Sequence, residues 1–177
     1  TYNKTLDDDL FPAAEKRFND AAENAGMASK AKWETAVGDA AEALEQRGRY
    51  ADLLVVAQTN QEDSTNSYNQ LVDTIVMMAG RPVLVLPAKG TNKTIGKKVL
   101  IAWDGSREAG RAVSDSLDVL MQADEVYIFS AASTKKKADD RLQKLENYLK
   151  HHDVQPTGLM GITGVSDPAD ALLAHAG

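Results

Sequence analysis

Val99-Leu100-Ile101-Ala102-Trp103-Asp104-Gly105-Ser106-Arg107-Glu108 passes from an apolar run through a short polar turn into a charged helix start, and the flanking sequence repeats that grammar. Downstream, Arg107 to Met121 keeps Ala109, Ala112, Val113, Leu117 and Leu120 at helical spacing. Val126-Tyr127-Ile128-Phe129 is the next strand, Ala138 to His152 the next helix, Leu159 to Ile162 a weaker strand, and Asp167 to Ala176 one more helix. Upstream, Leu53-Leu54-Val55-Val56-Ala57 and Pro82-Val83-Leu84-Val85-Leu86-Pro87 are continuous aliphatic runs of the kind found in parallel strands covered on both faces. Leu71 to Met78 forms a helix between them and Gly80 stops it. Further upstream, Leu10 to Ala25 has helical spacing before Gly26. Lys32 to Val37 alternates like a strand, and a helix runs from Gly38-Asp39 to Gly48. Strands alternating with helices of about three turns imply βαβ units and right-handed crossovers. The fold class is therefore α/β, built on an open parallel sheet.

Composition narrows the functional classes. The 177 residues are 43% hydrophobic and 26% charged, which suffices for one large domain or two small ones. The net charge of -6 disfavours a nucleic-acid partner, since phosphate backbones call for a basic face. No apolar run reaches the roughly 20 residues that span a bilayer, so no membrane partner is expected. The chain has no cysteine, which excludes disulfides and thiol chemistry and fits a cytoplasmic location.

An internal repeat organises the chain. Laying Thr35 on Thr163, an offset of 128 residues, also places Val37 on Val165, Asp39 on Asp167, Ala41 on Ala169, Ala43 on Ala171 and Leu44 on Leu172. Two tandem repeats follow, residues 1–88 and 97–177, joined by a polar, glycine-bearing linker at 89–96. The same offset places the first repeat's opening strand about 30 residues before Thr1, and the strand matching Leu53 to Ala57 just past Gly177. Both repeats are thus expected to lack terminal segments.

Several of these segments resemble the universal stress protein family. Gly80-Arg81-Pro82-Val83-Leu84-Val85-Leu86-Pro87 is similar to the closing strand of such a domain, and Val99 to Glu108 to the opening strand and turn of the next. Ala51-Asp52-Leu53-Leu54-Val55-Val56 resembles the fourth strand, which precedes the nucleotide loop in that family. The resemblance implies a Rossmann-like nucleotide-binding fold in the tandem form, two universal stress protein-like repeats in one polypeptide. It also implies a stress-response role, and a ligand site where an acidic residue after the first strand meets a nucleoside and a glycine-rich loop after the fourth strand surrounds its phosphates. That location agrees with the general rule that open α/β sheets bind ligands at the carboxyl ends of their strands.

Carried onto this sequence, Asp104 matches the acidic position, and Gly105 and Ser106 occupy the following turn. These three are the candidate nucleotide-binding residues, for ATP or another adenine nucleotide. Asp104 has a second reading as the cap of the helix it precedes. The first repeat's loop, Gln58 to Gln70, has no glycine and carries Glu62 and Asp63, so a degenerate site is expected there. No G-x-S-x-G elbow surrounds Ser106, which leaves no acyl-transfer enzyme to argue for. His151 and His152 suit a helix end better than a metal, Lys135-Lys136-Lys137 reads as a solvated turn before a helix, and Trp33 and Trp103 read as core residues on strands.

The resulting expectation is a non-catalytic module with a possible nucleotide ligand, acting as a homo-oligomer or as an intramolecular pseudo-dimer of its repeats. The enzyme-class alternative is a nucleotide-using hydrolase or transferase whose phosphate loop lies beyond Gly177. A third reading is a pairing module that binds no nucleotide.

Overall fold

The computed structural model describes residues 4–58, 67–87, 95–164 and 167–174. The expected loop Gln58 to Gln70 and the linker 89–96 fall largely outside them. The elements are α1 (Lys4–Asn24), α2 (Ala40–Gly48), β1 (Leu54–Ala57), α3 (Ser67–Met78), β2 (Val83–Leu86), β3 (Lys98–Ala102), α4 (Arg107–Asp115), α5 (Leu117–Met121), β4 (Glu125–Ala132), α6 (Lys135–Lys150), β5 (Gly158–Thr163) and α7 (Pro168–Leu173). Every strand pairing is parallel, so the α/β class read from the alternation of elements is correct. Packing divides the chain into two compact units that do not follow the repeat boundary at residue 88. The helices α1 to α3 fall in one, and all five strands with α4 to α7 fall in the other.

In the helical unit, α1 starts before Leu10, and from residue 11 onward it buries a thin stripe, with Ala14, Phe18 and Ala22 half-buried at i, i+4 and i+8. Phe18 meets Trp33 with ring centroids 5.5 Å apart. Trp33 is therefore half-buried against Phe18 rather than a core residue on a strand. The segment Lys32 to Val37 forms no strand and has no ladder partner among the described residues, because alternation supplies two faces and a strand also needs a hydrogen-bonding neighbour. Glu34 in that segment bridges Lys32 and Arg47, and these two cations hold its carboxyl below the usual carboxylate range. Helix α2 begins where the sequence placed it, with the Asp39 side chain accepting from the backbone N–H of Glu42 at 2.9 Å. Helices α2 and α3 pack together, with Ile75 and Ala79 buried.

The strand-bearing unit contains two sheets. Strands β1 and β2 pair from Leu54↔Val83 to Ala57↔Leu86. Leu54 is buried, but Leu53 and Val55 are 49% and 54% exposed. Coverage on both faces, as the aliphatic run implied, is not found. With two strands among the described residues, each strand is an edge. The second sheet has the order β3-β4-β5, and it is its central strand, rather than either aliphatic run, that is covered on both faces, with Val126, Ile128, Phe129 and Ser130 all buried. Ile128 and Val126 join Ile101 of β3, Val113 of α4 and Leu142, Leu145 and Leu149 of α6 in one core. Trp103 packs at its margin.

Two helix assignments need correction. The single helix expected over Arg107 to Met121 is broken at Ser116. Its backbone N–H is shared between the carbonyls of Ala112 and Val113, and its hydroxyl donates to Val113 at 3.0 Å. This local side-chain bond competes with the helical ladder and ends α4 before α5 starts. Lys135, Lys136 and Lys137 form the first turn of α6 rather than a turn before it, because Thr134 caps the helix by accepting from the Lys137 N–H. At the far end of α6, Asp153 takes a left-handed conformation (φ 60) and Val154 donates back to Leu149, the closure that glycine usually provides.

Candidate functional site

Strand β3 ends at Ala102, and its carboxyl end is followed by Trp103 and the turn Asp104-Gly105-Ser106. Asp104 Oδ1 accepts from the Ser106 N–H at 2.8 Å, closing a side-chain turn. Gly105 sits at φ +78, a conformation costly for any residue with a Cβ. Ser106 is the helix cap, its Oγ accepting from the Ala109 N–H at 3.1 Å. The reading of Asp104 as that cap is therefore incorrect, since the carboxylate lies two residues before the capping position and braces the turn. The Ser106 hydroxyl, then its backbone N–H, hold the Asp104 carboxyl below its ordinary range, so it is ionised at neutral pH. Asp104 is exposed.

Sequence reasoning missed Arg141. This residue lies on the second turn of α6, and its Nη1 donates to the carbonyl of Ala131 near the carboxyl end of β4 at 3.1 Å. Its side chain covers Gly105, with Nε 3.5 Å from where a Cβ there would stand. Its charge also favours the ionised form of Asp104. Acid and guanidinium thus meet at the carboxyl ends of adjacent parallel strands without forming an ion pair. The signal in the sequence is indirect: position 141 borders the buried stripe Ala138, Leu142, Leu145, Leu149, near the start of the helix. Only the fold makes that flank a neighbour of Gly105.

Next to the turn, Trp103, Gly110, Val113, Leu145, Tyr148 and the stem of Lys144 line an open, mainly apolar hollow of about 290 Å³ between α4 and α6. His151 and His152 lie at the end of α6, where His151 Nδ1 is 2.6 Å from the Asn147 carbonyl and the His152 ring meets Tyr148 at a tilt of 54° with centroids 4.7 Å apart. Among the described residues no cluster of His, Asp or Glu could hold a metal ion, and no helix is long and apolar enough to cross a membrane.

No protein-family model and no curated relative matches the sequence. Among solved structures, a universal stress protein from Archaeoglobus fulgidus DSM 4304 is similar, with a TM-score of 0.74 at 16% sequence identity. The match covers 99% of this chain and 66% of that protein, so the chain spans about two thirds of its neighbour's length. The likeness runs through the whole described succession of strands and helices, and this chain has the fold of a universal stress protein.

Proposed function

We propose that the protein is a universal stress protein-like module of the stress response. In this reading it binds an adenine nucleotide at the second repeat and acts through partner contacts rather than turnover. The observation that carries the reading is the turn after β3. An ionised carboxylate, braced by Ser106 at an exposed position, stands at the carboxyl end of a parallel strand. Ligands of open α/β sheets are met there. An acceptor-only group suits the hydroxyls of a ribose or an exocyclic amine. The first repeat contributes a degenerate site in this reading, consistent with a loop sequence that lacks glycine and carries Glu62 and Asp63.

Calorimetric titration with ATP, ADP and AMP tests the proposal on the wild type and on Asp104→Ala. Binding by the wild type that Asp104→Ala weakens at least tenfold supports it, whereas equal binding by both would remove Asp104 from the site. Incubation with ATP should release phosphate no faster than buffer does. Release at rates ordinary for enzymes, on the order of 1 per second or more, would replace the module with the hydrolase or transferase alternative.

A further inference from the structure

Three of the lysines of helix α6 are neutralised within the helix. Lys135 pairs with Asp139, Lys144 with Asp140 and Lys150 with Glu146, each four residues apart. Arg141 has no such arrangement. Positions three and four residues to either side are Lys137, Ala138, Lys144 and Leu145, none of them acidic, and among the described residues no carboxylate lies within ion-pair distance of it. Its one hydrogen bond among them, to the Ala131 carbonyl, fixes the guanidinium and leaves its other N–H groups without a protein acceptor. Arg141 is half-buried, and the Asp104 charge acts on it without an ion-pair contact, so the guanidinium is partly desolvated with donors left unpaired, which costs free energy. The bond to Ala131, the glycine at 105 and the brace of Asp104 on Ser106 together hold one cation beside one anion at the strand ends.

We propose that Arg141 is the anion contact of this site, receiving a phosphate of the ligand whose hydroxyls or amine Asp104 accepts. The inference rests on the nucleotide reading above and adds to it the residue that selects phosphorylated over unphosphorylated ligands. A guanidinium offers planar, paired donors that match two phosphate oxygens, and its remaining N–H groups supply them here without rearrangement. Lys137 lies one turn earlier on the same face of α6 and adds positive potential.

Three probes separate the inference from the reading beneath it. Calorimetry with ATP and with adenosine compares the wild type, Arg141→Gln and Arg141→Lys. Tripolyphosphate is titrated against the Nε–H resonance of Arg141 in nitrogen-15-labelled wild type, assigned by its loss in Arg141→Lys. Arg141→Gln should weaken ATP binding about tenfold or more, the effect of losing a charge-assisted contact, and change adenosine binding less than twofold. Arg141→Lys should recover part of the ATP affinity. Tripolyphosphate should move the Arg141 resonance saturably, an observation on the wild type that no folding defect can mimic. If the resonance stays in place with both tripolyphosphate and ATP, or if Arg141→Gln weakens ATP and adenosine equally, Arg141 is not the phosphate contact. A wild type that binds neither ATP nor adenosine while tripolyphosphate still moves the resonance would end the nucleotide reading and leave Arg141 as an anion site.

Discussion

Asp104 has two separable roles, as brace of its own turn and as acceptor for a ligand, and a pair of substitutions divides them. Asparagine keeps a side-chain oxygen able to accept from the Ser106 N–H, so Asp104→Asn should hold the turn and lose the charge, whereas alanine loses both. Thermal unfolding should leave Asp104→Asn close to the wild type, with nucleotide affinity reduced about tenfold. Protonation provides an independent check. The folded protein holds the Asp104 carboxyl below its ordinary range, chiefly through Ser106. Its stabilising contribution is therefore complete above the unfolded carboxyl value and is lost as pH falls through that value toward the folded one. Urea midpoints followed from neutral into acid should fall more steeply for the wild type than for Asp104→Asn across that window. Parallel slopes would show that the charge of Asp104 contributes nothing to folding beyond what a neutral acceptor supplies. Gly105 belongs to the same device: at φ +78, Gly105→Ala should cost about 1–2 kcal/mol through its backbone conformation, since a Cβ there would meet Arg141 at an ordinary contact distance. The residues of this turn were legible in the sequence because a strand, an acid, a glycine and a serine follow one another without interruption. Arg141 was not legible, because its place beside Gly105 depends on how far α6 reaches along β4.

Elements were readable where their own chemistry sets their limits. The repeat supplies a case: Asp39 and Asp167, aligned by the 128-residue offset, are both N-caps, Asp39 accepting from Glu42 and Asp167 from Ala169 at 2.8 Å. Asp39→Ala should cost roughly 1 kcal/mol, measured by denaturant unfolding. Elements were misread where the limit is set elsewhere. Lys32 to Val37 has the alternation of a strand and no neighbour among the described residues, and Arg107 to Met121 has helical spacing throughout while the Ser116 hydroxyl interrupts it. The contact of α6 with β5 was likewise invisible in sequence and is close. A Cβ at Gly161 would lie 3.1 Å from Leu142 Cδ1 and 3.3 Å from Ala138 Cβ. Gly161→Ala should push α6 outward and destabilise by about 1–3 kcal/mol. Leu149→Ala, at a fully buried position on the same helix, should cost about 2–5 kcal/mol by leaving a cavity. A smaller loss for Leu149 than for Gly161 would mean that α6 is anchored at its β5 contact and not through its apolar stripe.

For the molecule as a whole, the parallel class followed from alternating apolar runs and helices. The division into compact units did not, because it depends on which surfaces meet rather than on the order of segments. The two sheets differ most in their cover. The β3-β4-β5 sheet encloses a core, whereas β1 and β2 form a two-stranded ladder on which Val55 and Val85 remain 54% and 39% exposed. Two strands are marginal by themselves, and an aliphatic edge invites pairing with another strand. The run Val83-Leu84-Val85-Leu86 has no charge that would deter such pairing. We therefore expect self-association through this ladder, seen as a weight-average mass that rises with concentration in sedimentation equilibrium. Val85→Lys places a charge on the half-exposed strand without emptying a buried site, so it should return the mass toward that of the monomer while the thermal midpoint changes little. Association unaffected by Val85→Lys would assign it to another surface, and a monomeric mass for the wild type at high concentration would mean that the exposed aliphatic ladder tolerates water unaided.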